Sequence, residues 1–140
     1  MTSDIHLEGR AGPGMRREAT RCATLDSLKR LIDRHIDSPL LSVELICRRS
    51  GWSRATVYRL FHAEGGLARY IRQRRLQRAF RELTSHSPRR RRIIDLAVDC
   101  QFASEATFCR AFHREFGKPP GEVRAGGRSR SDTPGDVPLR

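Results

Sequence analysis

Phe102-Ala103-Ser104, followed by Cys109-Arg110-Ala111-Phe112-His113-Arg114-Glu115-Phe116-Gly117, has an earlier copy in the same chain: Trp52-Ser53, followed by Tyr58-Arg59-Leu60-Phe61-His62-Ala63-Glu64-Gly65-Gly66. Each copy sets an aromatic residue and a serine ahead of the phrase Arg-x-Phe-His-x-Glu-x-Gly. A short apolar segment precedes each one, Val43, Leu45 and Ile46 in the first and Ile93, Ile94, Leu96 and Ala97 in the second. The repeated unit therefore reads as helix, tight turn, second helix. Two such units predict an all-α fold, and in a strongly basic chain they point to duplex DNA as partner.

Within the first unit, Ser42 is placed to cap a helix that ends near Ser50-Gly51, where glycine can take the left-handed conformation a sharp turn requires. Trp52 is expected to plug the angle between the helices. Ser53 then caps a third helix on which Val57, Leu60 and Phe61 share one face. Ala55, Arg59 and His62 point the opposite way, with Tyr58 on the flank. In the second unit Phe102 takes the place of the plug and Ser104 that of the cap. Phe108, Ala111 and Phe112 face inward, and Ala106, Arg110 and His113 face outward beside Cys109. Trp52, Phe61, Phe102 and Phe112 are assigned to the core, and the outward sets are candidates to read DNA.

Outside the repeats, apolar residues recur at helical spacing from Leu25 through Leu28, Leu31, Ile32 and Ile36, and the pattern stops near Asp37-Ser38-Pro39. A longer helix is expected from about 66 to 85, with Leu67, Tyr70, Ile71, Leu76, Ala79, Phe80 and Leu83 as its apolar stripe. At about 1.5 Å per residue it spans roughly 27 Å, enough to set two reading heads about one duplex turn apart. Arg72, Arg74, Arg75 and the run Arg89 to Arg92 are read as phosphate-facing or hydrated charge, without sequence selectivity. The organisation predicted is a flexible arm over 1–24 and a DNA-binding domain over 25–124. That domain comprises a first helix-turn-helix at about 40–65, a linker helix at about 66–85 and a second helix-turn-helix at about 92–117. Past Gly117, Pro119 with Glu122-Val123-Arg124 suggests one closing turn, and a disordered tail is expected over 125–140.

Composition agrees with this outline. The 140 residues, 37% hydrophobic, suffice for one modest core. The net charge of +12 and a pI near 11.2 suit a polyanion, and nearly all the basic residues are Arg, whose fork geometry matches phosphate and guanine. Most of the surplus lies between Leu25 and Arg124, in the part expected to fold. The sequence shows no long apolar run and no secretory pattern at its start, so a cytoplasmic protein without membrane association is expected. Cys22, Cys47, Cys100 and Cys109 form neither a CxxC pair nor a zinc-finger spacing, and reduced thiols are expected. Cys109 and His113 stand four apart, but no further ligands converge, so no metal site is assigned. Cys109 reads either as an inert thiol at a packed flank or, since Arg110 beside it would favour a thiolate, as a thiol open to oxidation. The sequence contains no phosphate-cradling glycine loop, no paired carboxylates in a pocket pattern and no nucleophile-base set, so neither an enzyme nor a cofactor is expected.

From about Leu25 to Arg124 the chain resembles the DNA-binding domain of the AraC/XylS transcription regulators. The resemblance is carried most specifically by Ile94-Asp95-Leu96-Ala97, Gln101-Phe102-Ala103-Ser104 and the run from Phe108 to Pro120. It implies two homeodomain-like helix-turn-helix subdomains joined by a long linker helix, binding promoter DNA and usually activating transcription through RNA polymerase. By matching positions, base readers fall on Ala55, Tyr58 and Arg59 in the first unit and on Ala106, Arg110 and neighbouring Thr107 in the second. Ser53, Arg54, His62, Arg72, Arg74, Ser104, His113 and Lys118 are the candidate phosphate contacts. Three positions depart from the family's pattern. Gln101 stands where a turn glycine is usual, at a cost of about 1 kcal/mol if its backbone is left-handed. The segment from Phe61 to Tyr70 is about two residues short, and Val123 replaces a common aromatic. Met1 to Thr24 is too small for the family's sensing and dimerising domain. A monomer or weak dimer with no small-molecule ligand is therefore expected.

Two functions compete at this point. One is sequence-specific promoter recognition by helices inserted into successive major-groove segments. The other is non-specific, architectural DNA binding driven by charge, with the same steep salt dependence on every duplex.

Overall fold

The computed structural model describes residues 13–85 and 91–129, the side chains of 127–129 excepted. Among the described residues every regular element is helical. The α-helices are α1 (Pro13–Arg34), α2 (Val43–Ser50), α3 (Arg54–Leu60), α4 (Leu67–Thr84), α5 (Ile93–Asp99), α6 (Glu105–Phe116) and α7 (Pro120–Ser129), with a 3-10 turn over His62–Glu64. They form two compact units. The first spans Met1–His35 and Leu40–Leu67, and the second Ile36–Pro39 and Ala68–Arg140.

In the first unit α1 packs on α2, and α2 on α3. Leu28 and Ile32 come from α1, Ile46 from α2, Val57 and Leu60 from α3, and Phe61 from the residue after it; all are buried. Their spacing of three and four places one stripe of each helix against the others. Ser42 adopts extended backbone, and its hydroxyl accepts the Leu45 N–H at 3.2 Å, fixing the start of α2. Lys29 on α1 donates to Glu64 at 2.6 Å, joining the first helix to the 3-10 turn.

The second unit is built on aromatic residues. Phe108 and Phe112 are fully buried, among Leu76, Ala79, Leu83, Leu96, Ala97, Cys100 and Val123, with Phe80, Phe102 and Phe116 packed on the same cluster. Phe102 meets Phe108 edge-on at 5.5 Å, and Phe116 lies 4.6 Å from Phe112. Val123 of α7 is buried in this cluster, at the position where the resembling family commonly has an aromatic. Arg75, read from sequence as phosphate-facing or hydrated, instead joins α4 to the Ile36–Pro39 segment. Its Nε donates to Ile36 O at 3.2 Å and its Nη2 to Ser38 O at 3.1 Å, and burial lowers its pKa. Arg91 likewise pairs with Glu82 at 3.1 Å and Asp99 at 2.6 Å.

Two expectations about the ends need correction. Residues 13–24 are helix, continuous with the rest of α1, and not a flexible arm. Pro13 sits at the first helical position, where its missing N–H costs nothing, and Ala19 and Ala23 favour helix. The closing turn is a ten-residue helix, Pro120–Ser129, running into the stretch assigned to a disordered tail. Residues 1–12 of the arm, 130–140 of the tail, and Arg89 and Arg90 lie outside the described residues.

Candidate nucleic-acid interface

Both second helices start the same way. Ser53 Oγ accepts the Thr56 N–H at 3.2 Å and lies 2.9 Å from the Thr56 hydroxyl; Ser104 Oγ accepts the Thr107 N–H at 3.1 Å and lies 2.8 Å from the Thr107 hydroxyl. Each serine satisfies a backbone donor that the first helical turn leaves without a partner. The underlying sequence is one register, Ser-x-Ala-Thr-x-x-Arg-x-Phe-His, at 53–62 and at 104–113. Thr56, absent from the sequence-based candidates, is the counterpart of Thr107, and the register of the repeat is the signal that reveals it.

With the caps fixed, the helical period decides which side chains meet solvent. On α3 Val57 and Leu60 are buried, leaving Ala55, Tyr58 and Arg59 exposed, with His62 exposed in the 3-10 turn that follows. On α6 Phe108 and Phe112 are buried, leaving Ala106, Arg110 and His113 exposed. Thr107 is half-buried with its hydroxyl on Ser104. Each unit thus exposes an alanine, an arginine four residues later and a histidine three beyond that. These are the residue types that contact a thymine methyl, fork onto guanine O6 and N7, and approach a phosphate.

The remaining candidates divide. Arg54 is the first residue of α3, and its guanidinium pairs with Glu44 of α2, so a phosphate there must displace a carboxylate. Arg72 is exposed on α4, whereas Arg74 is half-buried and donates to Gln77 at 2.8 Å. Lys118 is exposed after Gly117.

Trp52 is a correction. It is 43% exposed and does not plug the first turn: its N–H donates to the Ser50 hydroxyl at 3.2 Å, whereas the Phe102 N–H closes back onto Ala97 O at 2.9 Å in the second turn. Burial, then the neighbouring Glu105, pushes the Cys109 pKa up, opposite to the thiolate that Arg110 had suggested. Burial raises the Cys100 thiol to about 12. Among the described residues no cluster of three or more His, Cys, Asp or Glu is arranged to hold a metal, and no helix is long and apolar enough to cross a membrane.

Comparison with known proteins places this architecture. Residues 46–126 match the family model described as a helix-turn-helix domain. The regulatory protein SoxS of Salmonella typhimurium is 39% identical over 103 residues, covering 71% of this chain and 92% of its own length. The multiple antibiotic resistance protein MarA of the same organism is 34% identical over 113 residues, covering 79% and 85%. Among solved structures, an AraC-type transcriptional regulator from Chromobacterium violaceum superposes with a TM-score of 0.67 at 29% identity, covering 78% of this chain and 96% of its own. The DNA-binding domain of AdpA, solved with a target DNA, has the same fold, with a TM-score of 0.60 at 23% identity and coverage of 76% and 94%. The chain belongs to the AraC/XylS family of helix-turn-helix, DNA-binding transcription regulators.

Proposed function

We propose that the protein reads a specific promoter sequence by inserting α3 and α6 into successive major-groove segments, and that it activates transcription there through RNA polymerase as a monomer or weak dimer. The observation that carries this reading is the duplicated outward face. Arg59 and Arg110 are exposed at the same register of two identically capped helices, and among the described residues neither has an ion-pair partner. Ala55, Tyr58, Ala106 and Thr107 complete the base-reading set, while Ser53, Arg54, His62, Arg72, Arg74, Ser104, His113 and Lys118 contact phosphate. A major groove about 12 Å wide admits one helix, and a bidentate arginine on guanine gives about 1–3 kcal/mol of discrimination per base pair. Charge alone gives attraction without a preferred site.

Selection from a random-sequence duplex pool, followed by sequencing, tests the reading. Specific recognition enriches one site with two conserved blocks about one helical turn apart. A pool that binds without enrichment assigns the protein to architectural binding. Placing the enriched site upstream of a core promoter and measuring transcription with purified RNA polymerase tests activation: added protein raises the transcript yield, and a fall would mark a repressor.

A further inference from the structure

A furrow of about 750 Å³ separates α1 from α3 inside the first unit. One wall is the exposed N-terminal part of α1, with Arg16, Arg17, Thr20, Arg21 and Thr24 on a single helical face; the other wall carries Trp52, Thr56 and Arg59. We propose that this furrow seats the phosphate ridge of the DNA strand bordering the major groove, with α1 gripping the backbone from outside while α3 lies in the groove. The inference rests on the DNA-binding reading above and extends it to residues that the sequence assigned to a loose arm.

Three observations support it. First, the lining brings four guanidinium groups around one space with no carboxylate among them. Such a concentration of like charge is unfavourable in the free protein and is relieved by a polyanion. Arg21 lies 3.9 Å from Glu18, which is outside the furrow, and no described residue pairs with Arg16, Arg17 or Arg59. Second, the remaining polar lining is hydroxyl-bearing, from Thr20, Thr24 and Thr56, and arginine with threonine is a characteristic phosphate-contacting set. Third, the major groove accommodates a single helix, so with α3 in the groove the basic face that α1 turns toward α3 across the furrow is available to the flanking backbone and not to the bases. Residues 13–23 are exposed along their length, so the extension contributes no described core residue that would account for its presence.

The test uses the full chain and a mixed-sequence duplex, with binding measured across a salt series. The triple variant Arg16→Ala, Arg17→Ala, Arg21→Ala keeps α1 helical, since alanine is the best helix former. The corresponding triple lysine variant keeps the charge. Each lost phosphate contact lowers the slope of log affinity against log salt by about 0.9. The alanine variant is therefore expected to show a slope shallower by about 2–3, and the lysine variant to retain most of it. An unchanged slope in the alanine variant overturns the proposal. So does saturable binding of a polyglutamate peptide that the alanine variant abolishes while its DNA slope stays intact, which would assign the furrow to an acidic protein segment. Arg59 is untouched in these variants, so this result is independent of whether base preference depends on α3.

Discussion

The two turns perform the same task with different backbones. In the first unit α2 ends at Ser50 and Gly51 takes the left-handed conformation (φ +80°), its N–H donating to Cys47 O at 2.8 Å; Ser53 caps α3 two residues later. In the second unit five residues, from Cys100 to Ser104, connect α5 to α6. Gln101 adopts φ +61°, its N–H donates to Val98 O and that of Phe102 to Ala97 O, both at 2.9 Å. This is the paired Schellman closure, whose following residue characteristically packs back onto the helix. Phe102 packs on the cluster that includes Leu96 and Ala97 of α5 and also meets Phe108 of α6, whereas Trp52 stays at the rim. The first residues of α3 and α6 differ as well. Arg54 brings a cation to the end of α3, while Glu105 brings a carboxylate that complements the helix dipole and repels phosphate. The first unit thus leaves its turn aromatic at the rim and starts α3 with a cation held by Glu44, whereas the second folds its turn aromatic into the core and starts α6 with a carboxylate.

That contrast can be broken most forcefully at the core. Phe112→Ala removes the centre of the aromatic cluster and should cost about 3–5 kcal/mol, measured by urea unfolding, because a fully buried ring leaves a cavity. Trp52→Ala should cost well under half as much, and equal losses would contradict the assignment of Trp52 to the rim. Exchanging the turn residues sharpens the comparison further. Gly51→Gln should destabilise by about 1–2 kcal/mol from backbone strain alone, since nothing lies within 4 Å of an added Cβ. Gln101→Gly should raise the unfolding midpoint, with a gain of up to about 1 kcal/mol because glycine's larger unfolded-state entropy offsets part of the relief. The two caps should then prove alike, Ser53→Ala and Ser104→Ala each costing about 1 kcal/mol in the same assay. The smallest effect is expected at Glu105→Ala: on the proposed insertion of α6 it should tighten binding to any duplex modestly by removing a like charge from the start of that helix, and unchanged or weaker binding would place that end away from DNA.

The repeat made most of this legible. Ser53 and Ser104 follow a turn signal and precede an apolar stripe, so the caps and the buried faces with Val57, Phe61, Phe108 and Phe112 could be deduced from spacing. Gln101 could be singled out as a strained position because its counterpart is a glycine. What the sequence concealed has physical causes. Residues 13–23 have no apolar stripe, since their helix buries nothing of its own, and hydrophobic periodicity is silent on such a segment. Gly12-Pro13-Gly14 resembles a loop signal although Pro13 opens a helix. The exposure of Trp52 goes with an N–H held by the Ser50 hydroxyl and not by an α2 carbonyl, a choice of partner that residue type does not encode. Arg75 looks like any other arginine of α4 until the Ile36 and Ser38 carbonyls are seen beside it.

The central claim is that Arg59 and Arg110 read bases from equivalent faces, and competition binding tests it most directly. Arg59→Ala and Arg110→Ala are each titrated against the selected duplex and its single-base variants. Each substitution is predicted to abolish discrimination at one base position, by about 1–3 kcal/mol, with the two positions about one helical turn apart and the remaining preferences intact. A uniform loss of affinity across all the duplexes, with every base preference preserved, would contradict it.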